Sequence, residues 1–129
     1  MDSLILTDLS ISAGPRPLLT GVSLTLRAGE ILALVGDSGS GKSLTARAIL
    51  GILPPTLTVG GTLEVVHSGT RHRPMQEGFK AIRGALSYLP QDAVGSLDPR
   101  WTVKRHLKAV SPRGEDPDPW LIRAGFPDP

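Results

Sequence analysis

Gly36-Asp37-Ser38-Gly39-Ser40-Gly41-Lys42-Ser43 fits the pattern G-x-x-x-x-G-K-[ST] at every fixed position. The residue types follow from what a polyphosphate needs. A loop that approaches several negative charges must turn tightly and aim N–H groups inward, and Gly36, Gly39 and Gly41 allow that path. A helix starting near Lys42 adds its unpaired N–H groups and positive dipole end. In this pattern Lys42 reaches the β- and γ-phosphates and the Ser43 hydroxyl ligates Mg²⁺, so a nucleoside triphosphate and Mg²⁺ are the expected ligands. Asp37, Ser38 and Ser40 fill the loop between the glycines. A glycine-rich turn that only caps a helix is the plainer alternative.

Context separates the two. Before the loop, Glu30-Ile31-Leu32-Ala33-Leu34-Val35 is an apolar run that predicts a buried strand. After it, Leu44 to Leu50 has helical apolar spacing and stops at Gly51-Ile52-Leu53-Pro54-Pro55. Strand, glycine loop and helix are the setting the motif requires.

Working outward, Leu4–Ile11 predicts a strand ended by Ala13-Gly14-Pro15-Arg16-Pro17. Val22–Arg27 alternates apolar and polar residues, as a half-buried antiparallel strand does, and Ala28-Gly29 turns it into the loop strand. Gly60-Gly61 opens another strand over Thr62–Val66, and 67–77 predicts an exposed loop. A short helix over Phe79–Arg83, a buried strand over Ala85–Leu89 and a helix over Trp101–Val110 follow. The proline-rich remainder holds a helical turn or two around Trp120–Arg123. Strands of antiparallel character thus precede the glycine loop, whereas small P-loop kinases commonly put it on their first strand.

The bulk numbers narrow the class. At 129 residues the chain holds one domain with a modest core. A net charge of +2 is too small to argue for nucleic acid as a partner. Cysteine is absent, which excludes disulfides and thiolate metal sites. The N-terminus has no basic leader, and no run approaches the roughly 20 apolar residues of a membrane span, so a soluble intracellular protein is expected.

The residues resemble the ATP-binding subunits of ABC transporters, over roughly residues 3 to 110. Leu18–Leu26 looks like the family's "L-x-x-V-S-L-x-L" strand, and Gly29-Glu30 through Ser43 like its "G-E…G-x-S-G-S-G-K-S" stretch. Gly60-Gly61-Thr62-Leu63 resembles the strand after the first helix, and Tyr88-Leu89-Pro90-Gln91-Asp92 resembles the Q-loop. Ser96-Leu97-Asp98-Pro99-Arg100-Trp101-Thr102-Val103 is similar to the "S-L-N-P-x-x-T-I" of dipeptide, oligopeptide and nickel importers, with Asp98 where asparagine is more usual.

The resemblance implies an α/β P-loop NTPase fold, the N-terminal portion of an ABC-type ATPase core with an antiparallel β subdomain. Residues 111–129 would begin the helical subdomain, with the chain stopping before the signature motif. It implies that Gln91 meets Mg²⁺ and the attacking water, that Gly36 to Ser43 hold the nucleotide, and that neighbours of Gln91 touch membrane subunits. It also implies transmembrane permease subunits and a second ATP-binding subunit as partners, at the cytoplasmic face of the membrane. The L-S-G-G-Q signature, the strand ending in Asp-Glu and the switch histidine are missing from the sequence. Hydrolysis by this chain alone is therefore expected to be negligible, and a non-catalytic nucleotide-binding fragment is the rival reading. A stand-alone kinase or GTPase would need an Asp-rich metal strand and a base-specific motif, and the sequence has neither.

Other residues read as structure. Ala13-Gly14 stands where the family stacks adenine on an aromatic ring. His67, His72 and His106 lack metal-ligand spacing and read as solvated surface, as do Arg71-His72-Arg73. Trp101 and Trp120 read first as packing residues, with a surface facing a membrane-protein partner as the alternative.

Overall fold

The computed structural model describes residues 1–92, 95, 97–111 and 116–126. It divides into two compact units, Met1–Tyr88 and Leu89–Pro129.

The first unit is built on strands β1 (Ser3–Ala13), β2 (Arg16–Arg27), β3 (Thr58–His67) and β4 (Thr70–His72). They form one antiparallel sheet in the order β2-β1-β3-β4. In β1 the buried side chains are Leu4 and Leu6, then Leu9 and Ile11. The parity changes from even to odd because the register of both flanking pairs shifts between Leu6 and Ser10. A β-bulge there turns the second half of the strand so that its apolar set still faces the core. Asp8 sits at the bulge with φ 51°, its N–H donating to Ser23 Oγ at 2.9 Å. Opposite it, Gly61 has φ 103°, and a Cβ there would lie 2.7 Å from the Asp8 and Thr7 carbonyl oxygens. Only glycine permits so close an approach.

Helix α1 (Lys42–Leu50) lies between two glycines in left-handed conformation, Gly41 at its start and Gly51 at its end. The Gly51 and Ile52 N–H groups cap the Ala48 and Arg47 carbonyls, so the expected stop at Gly51 holds. Ala48 packs into the cluster of Leu4, Leu6, Leu63, Val65 and Ile82. The helix is thereby fixed to the sheet by its small face.

Differences from the sequence reading cluster where backbone pairing is at stake. Strand β2 begins at Arg16 rather than Val22, since the turn at Gly14 brings it into register with β1 at once. The expected loop 67–77 contains β4 and a short helix α2 (Pro74–Glu77). There Arg71 and Arg73 both reach Glu64 Oε2 across the β3–β4 pair, at 3.1 and 3.8 Å. The predicted helix over Phe79–Arg83 is a 3-10 turn, Phe79–Ile82.

The larger correction concerns the two expected buried strands at 30–35 and 85–89. Neither is a strand. Ile31 and Val35 are 99% and 91% exposed, and Leu89 is 88% exposed. A strand exists only by pairing with a neighbour, and neither segment is paired in the β2-β1-β3-β4 sheet. The side chains of 31–35 still alternate, Leu32 and Leu34 turning into an apolar hollow of about 260 Å³ shared with Leu4, Leu24, Leu26 and Leu86.

In the second unit, helices α3 (Val103–Val110) and α4 (Asp118–Arg123) are joined by Lys104 Nζ donating to Asp118 Oδ2 at 2.8 Å. That hydrogen bond holds the Lys104 ammonium above its usual range. Leu121 is buried, whereas Trp120 is 59% exposed, contrary to the expected packing role.

Candidate functional site, a glycine loop at a helix start

The loop 36–43 leaves the extended 31–35 segment, turns through Asp37–Ser40 and enters α1. Ser40 N–H donates to the Asp37 carbonyl at 3.2 Å and closes the turn. The first α-helical bond is Thr45 N–H to Gly41 O at 2.8 Å, and the Thr45 hydroxyl donates to the same carbonyl at 3.0 Å. The N–H groups ahead of Thr45 thus have no carbonyl partner within the helix, the condition under which a helix start accepts an anion. Thr45 is buried and ties the loop exit to the core.

Two glycines keep the loop open. A Cβ at Gly41, where φ is 94°, would stand 2.6 Å from Leu19 Cδ1, so the loop exit rests on β2. A Cβ at Gly36 would stand 2.8 Å from Ser40 Oγ and fill the cradle from the other side. Lys42 curls back over the loop: its Nζ donates to Gly36 O at 2.7 Å, Asp37 O at 2.6 Å and Ser40 Oγ at 3.3 Å. An ammonium has three protons, so all are engaged, and the long bond to Ser40 is the one that a ligand oxygen replaces at least cost. Ser43 is exposed on the first turn of α1.

This donor set fits a polyphosphate. It comprises free helix N–H groups, one lysine, serine hydroxyls and no acidic side chain in the first turn of α1. Among the described residues no group of three or more His, Cys, Asp or Glu could hold a metal ion alone. A magnesium ion here would take one oxygen from Ser43 and rely on phosphate oxygens and water, as this hard cation commonly does.

Gln91 lies outside this unit. It is exposed at the start of the second unit, beyond the unpaired 85–89 segment, with Asp92 beside it accepting the Gly95 N–H at 2.8 Å. Of the sequence-derived site, residues 36–43 lie together in the first unit, and Gln91 stands in the other.

A model of the ABC transporter family matches residues 19–128, most of the chain. The chain belongs to the ABC transporter family. Its antiparallel sheet, glycine loop and following helix are those of an ABC-type P-loop ATPase portion. Within the family it is 36% identical over 94 residues to the metal-staphylopine import system ATP-binding protein CntD of Staphylococcus aureus, covering 71% of this chain and 34% of that protein. An ATP-binding protein of Brucella abortus whose name assigns it to peptide import is 40% identical over 82 residues, 64% of this chain and 24% of that one. A Brucella melitensis protein named likewise is 40% identical over 82 residues, 64% of this chain and 21% of that one. The chain thus spans between 21% and 34% of the length of these relatives. No helix among the described residues is long and apolar enough to cross a membrane.

The histidines also depart from the sequence reading. All three are partly buried rather than solvated. His106 is bonded through both ring nitrogens, to the Asp98 N–H at 2.9 Å and to the Thr102 carbonyl at 3.0 Å. The spacing of Thr102 and His106, four apart at a helix start, was the available signal.

Proposed function

We propose that this chain is the nucleotide-cradling part of the ATP-binding subunit of an ABC importer, of the peptide or metal-complex type. The observation that carries the reading is the 36–43 loop, open at the N-terminus of α1 with Lys42 folded across it. In this reading Gly36, Asp37, Ser38, Gly39, Ser40, Gly41, Lys42 and Ser43 bind the triphosphate, and Ser43 contributes a magnesium ligand. Lys42 would exchange Ser40 Oγ for a phosphate oxygen while keeping its grip on the Gly36 and Asp37 carbonyls. The bound magnesium ion would offset phosphate charge, and the loop N–H groups would orient the chain of phosphates. Gln91 is assigned to sensing the γ-phosphate and the metal, and to contact with transmembrane permease subunits.

The import role rests on the names of the relatives and on the similarity of Ser96–Val103 to the peptide and nickel importers. It carries with it a second ATP-binding subunit, a peripheral place at the cytoplasmic face of the membrane, and a solute of the peptide or metal-chelate class. Domain assignment follows the same line, with 1–129 as the N-terminal portion of the nucleotide-binding domain and 111–129 as the start of its helical subdomain.

The test is titration of the 129-residue chain with a fluorescent ATP analogue, with and without Mg²⁺. Saturable binding that Lys42→Ala weakens about thirtyfold is expected, as for a charge-assisted contact worth about 2 kcal/mol. Equal binding by the variant would defeat the assignment. ATP turnover by the chain alone should stay at background; a rate matching a complete homologue and abolished by Lys42→Ala would overturn that part.

The unpaired 31–35 and 85–89 segments, with Ile31, Val35 and Leu89 largely exposed, favour a second reading, a nucleotide-binding fragment without a transport role. A broad thermal transition together with association at micromolar concentration would support it; a sharp transition from a monomer would count against it.

A further inference from the structure

His106 sits where two partners prescribe its chemistry. Its Nδ1 lies 3.0 Å from the Thr102 carbonyl oxygen, which only accepts, so Nδ1 carries the proton. Its Nε2 lies 2.9 Å from the Asp98 backbone nitrogen, which only donates, so Nε2 is bare. One neutral tautomer satisfies both bonds. The other neutral tautomer satisfies neither, and the imidazolium places an N–H against the Asp98 N–H.

The ring joins two structures. Thr102 caps α3, its Oγ1 accepting the Arg105 N–H at 3.2 Å and its carbonyl accepting the His106 N–H at 3.1 Å. Asp98 opens the preceding turn: its carbonyl accepts the Trp101 N–H at 3.0 Å, and its carboxylate takes the Arg100 N–H and Nε at 3.0 Å and Nη2 at 2.7 Å. Trp101 then packs against the His106 ring with centroids 5.3 Å apart, and the Arg105 guanidinium lies 4.3 Å over the Trp101 ring. Without the ring, no hydrogen bond shown among the described residues links the Asp98 N–H to α3.

We propose that His106 is a proton-sensitive clip: the neutral ring holds the Asp98–Trp101 turn on α3, and protonation releases it. The charged groups beside the ring set the direction of the change. Asp98 is an ionised carboxylate engaged by Arg100, Arg105 is occupied with Trp101, and Lys104 of α3 is engaged with Asp118 of α4. Among the described residues, a protonated ring therefore has one anionic neighbour, the Asp98 carboxylate, to turn toward, at the expense of the backbone bond. The inference concerns the second unit alone and holds whether or not the chain binds nucleotide.

Nitrogen-15 spectra of the ring and the Asp98 amide in the 129-residue chain test it, from about pH 8 to about pH 5. At the upper end Nδ1 should be protonated and Nε2 bare. On acidification Asp98 amide exchange, corrected for its intrinsic pH dependence, should speed up about fivefold, the loss of one ordinary hydrogen bond. His106→Gln retains an acceptor oxygen at the Nε2 position and should make the Asp98 amide insensitive over that range. An Nε2-protonated ring at the upper end overturns the clip, and this needs no variant to fold. An Asp98 response that survives unchanged in His106→Gln overturns it too.

Discussion

Lys42 and Asp98 are both held by short bonds, yet they have different consequences because one serves a loop and the other a turn. Lys42 is bonded wholly to its own loop, through the Gly36 and Asp37 carbonyls and the Ser40 hydroxyl. Removing it takes away a cation and the loop's internal brace together, so Lys42→Arg should not restore binding: a planar fork does not reproduce a point ammonium in this space. Titration of that variant with the same ATP analogue checks this, and wild-type affinity would contradict it. Asp98 is held below the usual carboxylate value of 3.8, first by the Arg100 side-chain bonds and then by the Arg100 backbone N–H. A carboxyl group whose folded value lies below its unfolded one adds stability that is present above about 3.8 and is lost as pH falls through the folded value. Carbon-13 titration of the Asp98 carboxyl should therefore show a midpoint below 3.8. Arg100→Ala should move that midpoint back upward.

Among the elements, β1 carries the most information because its bulge decides which side chains become core. Gly61 faces that bulge at φ 103°, with two carbonyl oxygens 2.7 Å from where a Cβ would stand. Backbone cannot yield there as a side-chain tip can. Gly61→Ala should cost about 2 kcal/mol and lower the melting temperature by roughly 10 °C. Gly14→Ala is the control: φ is 56°, but nothing lies within 4 Å, so only the smaller conformational cost of about 1 kcal/mol applies. Equal losses would show that the close contact at the bulge is relieved by movement. Most strands and helices were legible because their signals are local. Leu4–Ile11 and Val22–Arg27 alternate, Gly51 and the following prolines end α1, and Thr102 caps α3. The bulge was not legible, since the shift from Leu6 to Leu9 leaves only an imperfect alternation in the sequence.

For the molecule as a whole, the exposed apolar side chains at 31–35 should promote self-association in solution. Ile31 and Val35 are almost wholly exposed, whereas Leu32 and Leu34 are partly covered. Ile31→Lys with Val35→Lys should change stability by less than about 0.5 kcal/mol, because both side chains already face water. The same pair should reduce concentration-dependent association, as charges on an unpaired extended segment do. Sedimentation across a concentration series and a thermal melt separate the two effects. A large loss of stability would show that these side chains are buried in solution.

What the sequence by itself determined is the family, and with it the glycine loop on which the proposed function rests. The loop Gly36–Ser43 and the helix after it are made by neighbours in the chain, so residue types and spacing suffice to specify them. The tertiary structure alone decided that Ile31–Val35 and Ala85–Leu89 are not strands, because a ladder needs a partner that no local pattern supplies. It alone decided the chemistry of His106 as well. An imidazole is defined by what meets its two nitrogens, and here those partners come from a helix cap and a separate turn.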